Sequence, residues 1–208
     1  MTTLDKYKQM LVEFHTAYKL PIARSFAEAS PKNCPLRVNL IAEEYKEYEA
    51  AKERVGLIDA LGDLLYVLIG TSITIGITPI DYQGGTLVKG TGAAPKLLFP
   101  DAVIAVIRAL EDNQLCYRKL FQSTTSLYWK VESAAAGLGF DLMAAVARIH
   151  SSNMTKLWKE EEVRSISDTP DLFTITPSGD EKLWIVKRKS DGKVVKSPSY
   201  TPVDLTDL

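Results

Sequence analysis

Two stretches of this 208-residue chain carry acidic side chains at helical spacing. Glu43, Glu44 and Glu47 span an arc of about 100° on a helix, because residues 43 and 47 are one turn apart. Asp59 and Asp63 follow, again one turn apart, among leucine and isoleucine residues. Acidic residues rarely occupy such apolar surroundings without a partner.

If the two helices pack through their apolar faces, their acids form a pocket of four or five carboxylates. Like charges one turn apart repel even in water, and the repulsion grows when they are partly buried. A hard divalent ion such as Mg²⁺ or Mn²⁺ would compensate it, since these ions take carboxylate and phosphate oxygens as ligands. The pattern therefore favours a metal site that binds a phosphate ester.

A second interpretation of the same acids is structural. An E-E-x-x-E sequence is also typical of a solvated helix face, and Lys46, Lys52 and Arg54 could pair with it. Asp59 could be a first-turn acid that interacts favourably with the helix dipole. Asp63 fits this interpretation less well, because it lies deep in the most apolar segment and would need a dedicated partner.

The segments that must position these acids are helical. Apolar residues at spacings of three and four predict a first helix over Leu4 to Lys19, with Thr3 as N-cap. A second helix is expected from Cys34 to Gly56. Leu57 to Ile77 is apolar nearly all round, which predicts a helix enclosed by other helices. A short loop would make the second and third helices antiparallel neighbours.

Three more helices are expected in the second half of the chain, over 101–111, 114–136 and 141–151, the last with Asp141 as N-cap. Residues 82–100 lack periodicity and are interpreted as a surface loop. The glycines of this loop could suggest a phosphate-binding loop, but no G-K-[ST] follows and no strand precedes it.

The character of the chain changes after Asp168, where β-prone sequences begin and Asp191-Gly192 is a hairpin signal. We expect residues 1–167 to form an all-α helical core. Residues 168–208 should form a small basic β-hairpin or extended tail on that core. The basic residues around this hairpin, which could close over phosphates or simply protect an edge strand, are Lys187, Arg188, Lys189, Lys193 and Lys196.

Charge, cysteine content and hydrophobicity limit the binding partners and the cellular compartment that we expect for the protein. Lys and Arg number 25 against 26 Asp and Glu, so no global charge favours nucleic acid or an anionic membrane. Two widely spaced cysteines, Cys34 and Cys116, form no disulfide framework and indicate a reducing compartment. The N-terminus lacks the features of a signal peptide, and the apolar run 64–80 is short for a membrane span. We expect a cytoplasmic protein.

Three motifs carry a resemblance to a known family: E-E-x-x-E at 43–47, D-A-L-G-D-L-L-Y-V-x-x-G-T at 59–71, and S-S-N-M-T-K at 151–156. They resemble the all-α nucleoside triphosphate pyrophosphatases of the MazG-like superfamily, which includes phosphoribosyl-ATP pyrophosphohydrolase and dimeric dUTPases. The resemblance covers Phe14 to Lys156, interrupted by a helical insertion at about 84–135. The tail resembles the endings of short, often phage-encoded members, which implies the host cytoplasm if the protein is phage-encoded. It implies a helical-bundle core and assembly into homodimers or homotetramers.

The resemblance also implies an activity, the cleavage of a nucleoside triphosphate between the α- and β-phosphates with Mg²⁺ or Mn²⁺. Two or three ions would activate water and neutralise the pyrophosphate leaving group. Glu44, Glu47 and Asp63 would be metal ligands and catalytic residues, and Glu43 a further ligand or the general base. The family's second acidic motif is usually E-x-x-D, whereas the glutamate position here is Ala60. Asp59 could replace that ligand, or the site could have one acid fewer.

Further residues are expected at the substrate. By resemblance, Asn153 and Lys156 would contact the nucleotide, although both could equally cap or end a helix. Lys189 and Lys196 are candidates for phosphate contacts. Phe14, Tyr18 and Trp158 are candidates for stacking on a base, while His15 and His150 lack a nucleophile context and are interpreted as structural.

The leading hypothesis is therefore a metal-dependent nucleoside triphosphate pyrophosphohydrolase acting on a (deoxy)nucleotide, with dGTP or GTP suggested only by the tail. One alternative is a non-catalytic helical interaction module whose acidic face meets a basic partner. Another is a nucleic-acid binder that uses the basic hairpin, which the balanced charge argues against.

Overall fold

The computed structural model describes residues 1–79, 99–166, 171–180, 182–190 and 192–208. In these residues the chain forms a helical core with a small sheet, which confirms the prediction of an all-α fold with a β-hairpin. The helices are α1 (Thr3–Ala17), α2 (Cys34–Ala50), α3 (Arg54–Ile75), α4 (Pro100–Glu111), α5 (Tyr117–Leu138), α6 (Leu142–Met154) and the short α7 (Glu160–Arg164). The strands are β1 (Trp158–Lys159), β2 (Phe173–Pro177) and β3 (Leu183–Arg188).

Helix α3 lies at the centre of the core and packs against α1, α2, α5 and α6. Its residues are buried on nearly every side, as its continuous apolar sequence predicts. The helix is long and apolar enough to cross a membrane, but 83% of its most apolar window is buried inside the protein. Burial of this kind is typical of the central helix of a bundle.

Capping side chains set the N-terminal ends of α1 and α6. The α1 N-cap is Thr2 rather than the predicted Thr3, because the Thr2 hydroxyl accepts from the Asp5 N–H and the Asp5 carboxylate accepts from the Thr2 N–H. Asp141 caps α6 as predicted, and its carboxylate accepts from the Ala144 N–H at 3.0 Å. Each cap satisfies backbone donors that the first turn of a helix leaves free.

The boundary between α2 and α3 was predicted incorrectly. Helix α2 ends at Ala50 rather than Gly56, because Ala51 and Glu53 adopt extended backbone conformations. Gly56 therefore lies in the first turn of α3, and residues 51–53 alone join the two helices. The short connection makes α2 and α3 a tightly packed helical pair.

The sheet has the order β1-β3-β2, and both pairings are antiparallel. Residues 178–182 connect β2 to β3, so the turn of this hairpin is not at the predicted Asp191-Gly192. A second reversal does occur there, since Gly192 has a φ of 70° and Lys187 pairs with Val194. Residues 192–195 thus fold back beside β3. Asp191 lies outside the described residues, as do most of the glycine-containing loop and the predicted boundary at 167/168.

The hairpin is anchored on the helical core through α1. The Gly179 N–H donates to Ala17 O at 2.9 Å, and a Cβ at position 179 would collide with the backbone of Thr16. Ile185 of β3 is buried with Tyr18 and Leu157. These contacts bring the basic end of the chain to the side of the core that carries the acids.

Candidate active site

Helices α2 and α3 bring their acidic side chains to one place. Glu44, Asp59 and Asp63 are partly buried between the helices, whereas Glu43 and Glu47 are exposed beside them. One oxygen of Asp59, Oδ1, is buried without a hydrogen-bond partner in the described part of the chain. A buried carboxylate oxygen without a donor is unfavourable, so the arrangement favours a ligand that supplies positive charge.

The carboxylates repel one another strongly. Burial raises the pKa of Glu44 to about 8, and the negative charges of Asp63, Glu47, Glu43 and Asp59 add to the shift in that order. Burial likewise raises the pKa of Asp63 to about 7, with Asp59 contributing the largest repulsion. The pKa of Asp59 is raised by burial as well. Acids from both helices therefore share one electrostatic environment.

The acids of α2 and α3 are chemically suited to a divalent cation, although their side chains do not form a coordination sphere. Carboxylate oxygens are the ligands that Mg²⁺ and Mn²⁺ prefer, and the unpartnered Asp59 Oδ1 is such a donor. However, no three acidic, histidine or cysteine side chains of the described residues are arranged to hold an ion. The predicted ligand set, Glu43, Glu44, Glu47, Asp59 and Asp63, therefore stays a prediction.

Ala60, at the position where the related motif has a glutamate, is only 4% exposed and belongs to the hydrophobic core. A carboxylate at this position would be placed among apolar side chains at a high desolvation cost. Asp59 instead acts electrostatically on both Glu44 and Asp63. The geometry therefore favours Asp59 over position 60 as the additional acid of the cluster.

Helix α6 brings a positive charge to the cluster. Lys156, just after α6, lies close enough to Asp63 to oppose the rise of that pKa. The Lys156 ammonium donates to Asn153 Oδ1 at 2.6 Å, so the two predicted substrate contacts lie together. A Cβ at Gly62 would contact the end of the Ile149 side chain of α6, which would then have to shift. The glycine immediately before Asp63 thus leaves room for Ile149 between α6 and α3.

The basic hairpin supplies a second positive charge, from a lysine that belongs to the predicted basic group but is neither of the two expected at the phosphates. Lys193 Nζ lies 3.3 Å from Glu43 Oε1, at the exposed edge of the cluster. The two lysines predicted at the phosphates have other contacts. Lys196 Nζ lies 4.4 Å from the ring centroid of Tyr200, and the backbone N–H of Lys189 donates to Leu172 O. Substrate contacts by Lys189 and Lys196 stay predictions. The spacing of the lysines could not single out Lys193, because the reversal at Gly192 decides which one faces the helices.

Aromatic and histidine side chains line the neighbouring region between α1, α3 and α6. Phe14 packs on Tyr18 at 4.3 Å between ring centroids and on Tyr66 at 5.5 Å. His150 contacts Tyr66 rather than standing alone in the core. Trp158 is a poor candidate for base stacking, since it is 5% exposed and its indole N–H donates to Val195 O.

Comparison with known proteins gives a family match over the segment that carries the acids. Residues 7–82 match the family model of phosphoribosyl-ATP pyrophosphohydrolase, which belongs to the MazG-like superfamily. The match spans α1 to α3 and includes all five acids of the cluster. An uncharacterized protein of Acanthamoeba polyphaga mimivirus is 24% identical, with 96% of this chain and 94% of the relative aligned. No solved structure gives a significant match.

The resemblance to MazG-like proteins is thereby confirmed over the matched segment. The match indicates a nucleotide pyrophosphohydrolase, within a family that generally depends on divalent metal ions. It does not extend to α4, α5, α6 or the hairpin. The approach of Lys156 and Lys193 to the acids is therefore seen in the structure and lies outside the family match.

Proposed function

We propose that the protein, whose helices α1 to α3 carry the phosphoribosyl-ATP pyrophosphohydrolase match, is a divalent-metal-dependent nucleoside triphosphate pyrophosphohydrolase. The reaction adds water across the α–β phosphoanhydride and yields a nucleoside monophosphate and pyrophosphate. The observation that supports it best is the placement of Glu44 and Asp63, partly buried acids from two helices whose pKa values are both raised by burial, with the charge of Asp63 adding to the shift of Glu44. Substrates to test first are (deoxy)nucleoside triphosphates, with dGTP and GTP as leading candidates.

The proposed metal ligands are Glu44, Glu47, Asp59 and Asp63, with Glu43 as a further ligand or as the base that orients water. Mg²⁺ or Mn²⁺ bound there would supply the positive charge that stabilises the phosphate oxygens and the pyrophosphate leaving group. Helices α2 and α3 hold the backbones of these acids in one region, and the carboxylate side chains would have to rotate to coordinate a cation, since no three of them in the described residues are arranged to hold an ion.

The remaining contacts assign roles to basic side chains of this chain. Lys156 beside Asp63 and Lys193 beside Glu43 lie on two sides of the cluster. Both ammonium groups can donate to phosphate oxygens. Asn153 shares a hydrogen bond with Lys156 and can offer its amide to the nucleotide. The protein thus combines carboxylates that can bind a cation with ammonium groups that can bind a polyphosphate.

Assembly and substrate choice belong to the same proposal. Exposed apolar side chains such as Leu36, Val55 and Ile104 remain on the surface of the helical core. We propose that the protein forms a homodimer or homotetramer, with a nucleoside triphosphate as the ligand and without nucleic acid or membrane as a partner. Size-exclusion chromatography with light scattering measures the oligomeric state.

The test of the activity is a panel of nucleoside and deoxynucleoside triphosphates with Mn²⁺ or Mg²⁺. Monophosphate and pyrophosphate are the expected products, and Glu47→Gln and Asp63→Asn should each abolish their release with an unchanged circular dichroism spectrum. The matched control is Glu49→Gln, which removes an exposed acid of α2 that accepts from the Tyr45 hydroxyl.

Release of orthophosphate, or full activity of Asp63→Asn, would contradict the proposal. An absence of any nucleotide cleavage together with binding of a basic partner would instead support a non-catalytic interaction module with an acidic face.

A further inference from the structure

A chain of polar side chains crosses the core behind Asn153. Tyr66 of α3 is 5% exposed and His150 of α6 is 8% exposed. Tyr66 Oη lies 3.0 Å from His150 Nδ1, and His150 Nε2 lies 3.4 Å from Glu13 Oε2 on α1. The side chain of Asn153, about one helical turn after His150 on α6, lies near the Tyr66 hydroxyl and acts on its pKa. Three helices therefore contribute to one continuous set of contacts.

The direction of each hydrogen bond follows from its end groups. The Glu13 carboxylate only accepts, so His150 carries its proton on Nε2 and its Nδ1 accepts from the Tyr66 hydroxyl. Burial raises the pKa of Tyr66, so its hydroxyl stays protonated and able to donate. The Tyr66 oxygen can then accept from the Asn153 amide N–H, which leaves Asn153 Oδ1 to accept from Lys156.

This order fixes the Asn153 amide in one orientation. With its oxygen accepting from Lys156 and its N–H turned towards the nearby Tyr66 oxygen, the amide would hold the ammonium that acts on Asp63. The backbone of Asn153 is held separately, since the Tyr18 hydroxyl donates to Asn153 O at 2.8 Å. Tyr66 and His150 therefore act on the side chain of Asn153 rather than on the course of α6.

We propose that His150 and Tyr66 are positioning residues that hold the Asn153 amide, and through it the Lys156 ammonium, at the Glu44–Asp63 cluster. The inference rests on the proposed function, because it assumes that Asn153 and Lys156 contact the nucleotide. It assigns a role to a histidine that the sequence pattern alone indicates as structural. Neither residue is required to touch the substrate.

The histidine allows a matched pair of substitutions. In His150→Asn the amide can take the place of Nδ1 and keep the bond to Tyr66, whereas in His150→Gln the amide can take the place of Nε2 and keep only the bond to Glu13. Tyr66→Phe removes the hydroxyl but keeps the ring that packs on Phe14. The control for loss of a phenolic hydroxyl is Tyr45→Phe on α2, which breaks only the bond to Glu49.

The first readout needs no substrate. In ¹⁵N-labelled protein, hydrogen exchange of the Asn153 side-chain amide, identified by its absence in Asn153→Asp, should be on the order of tenfold faster in Tyr66→Phe and His150→Gln. It should stay near the wild-type rate in His150→Asn and Tyr45→Phe. An unchanged exchange rate in Tyr66→Phe, or equal rates in the two His150 variants, would overturn the proposal.

The second readout separates nucleotide contacts from metal binding. KM for the nucleotide should rise on the order of tenfold in Tyr66→Phe and His150→Gln with a smaller change in kcat, as expected when one hydrogen-bonding group is misplaced. The affinity for Mn²⁺ alone, measured by calorimetry, should be unchanged. A wild-type protein that cleaves no nucleotide would refute the proposed function, while the amide exchange would still decide the role of His150 and Tyr66.

Discussion

Two groups of buried or partly buried polar side chains lie along helices α2 and α3. In one group the side chains attract each other, and in the other they repel. Near the start of α2, Arg37 lies beside His15 of α1 and Gly70 of α3. Further along α2, Glu44 lies beside Asp63 of α3. The first group combines a donor with an acceptor, whereas the second combines like charges. Burial on the same two helices thus has different consequences.

In the first group, called the Arg37 group or histidine group below, both ring nitrogens of His15 have a hydrogen-bond partner. His15 Nδ1–H donates to Pro21 O at 2.9 Å, and its Nε2 accepts from Arg37 at 3.5 Å. Burial and the neighbouring guanidinium lower the pKa of His15 to about 4, so the ring is neutral. Gly70 makes room, because a Cβ there would lie 3.1 Å from His15 Nε2. These are the features of a group that stabilises the fold.

The acid cluster lacks this internal balance. Its carboxylates raise one another's pKa, and Asp59 Oδ1 has no hydrogen-bond donor in the described residues. Strong perturbation of this kind is common where a protein binds a charged ligand. The comparison suggests that the histidine group contributes to stability and the acid cluster to function, and three measurements test this division.

The largest effect is expected at His15. His15→Leu leaves Arg37, which is 5% exposed, without its acceptor and Pro21 O without its donor. Loss of one partner of a buried charged group should lower the free energy of unfolding by about 3 kcal/mol. Urea denaturation measures this loss, and cleavage activity per folded molecule should be unchanged.

His15→Asn is the matched control for this substitution, because its side-chain amide can still donate to Pro21 O. It should lose distinctly less stability than His15→Leu. A His15→Leu variant as stable as the wild type would show that the Arg37 group contributes nothing to the fold, and the contrast with the acid cluster would then disappear.

The next effect concerns the acid cluster and a divalent cation. At a concentration of Mn²⁺ 100 times its Kd, the free energy of unfolding should rise by about 2.7 kcal/mol relative to protein in EDTA. The increase should vanish in Asp63→Asn and Glu47→Gln and persist in His15→Asn. Thermal unfolding with and without Mn²⁺ measures it. Equal stabilisation of the wild type and Asp63→Asn would place the ion elsewhere.

The sequence could predict those features that depend on neighbouring residues alone, such as helix burial, the spacing of the acids and a helix cap. The apolar character of α3 predicts a central helix, and the spacing of Asp59 and Asp63 places two acids on one side of it. The Asp141 cap follows from residue type and position, as found. Gly56 was misleading, because the extended conformation of residues 51–53 ended α2 before the glycine.

The remaining features depend on contacts between distant parts of the chain. Gly62 and Gly70 each permit a close approach, one to α6 and one to His15, and only the packed structure distinguishes them. His15 and His150 look alike in sequence, yet one bonds Arg37 and the other Tyr66. Lys193 reaches Glu43 only because the chain reverses at Gly192. Periodicity carries no information about such pairings.

The smallest effect is a pH dependence of stability that has opposite signs for the two groups in EDTA. The folded-state pKa of Glu44 is raised from 4.5 to about 8, so the folded protein binds more protons and its stability falls as the pH rises through this interval. The folded-state pKa of His15 is lowered from 6.5 to about 4, so its contribution is lost as the pH falls through that interval.

Single substitutions should remove one side of this profile at a time. Glu44→Gln should stabilise the metal-free protein by about 1 kcal/mol at pH 8, less than the pKa shift allows because a mobile side chain can move towards water. His15→Asn should flatten the profile between pH 4 and 6.5 and leave the alkaline side unchanged. Chemical denaturation across this pH range measures both. If Glu44→Gln instead destabilised the protein at pH 8, the carboxylate would be a structural partner in the fold, and the acid cluster would have the same role as the histidine group.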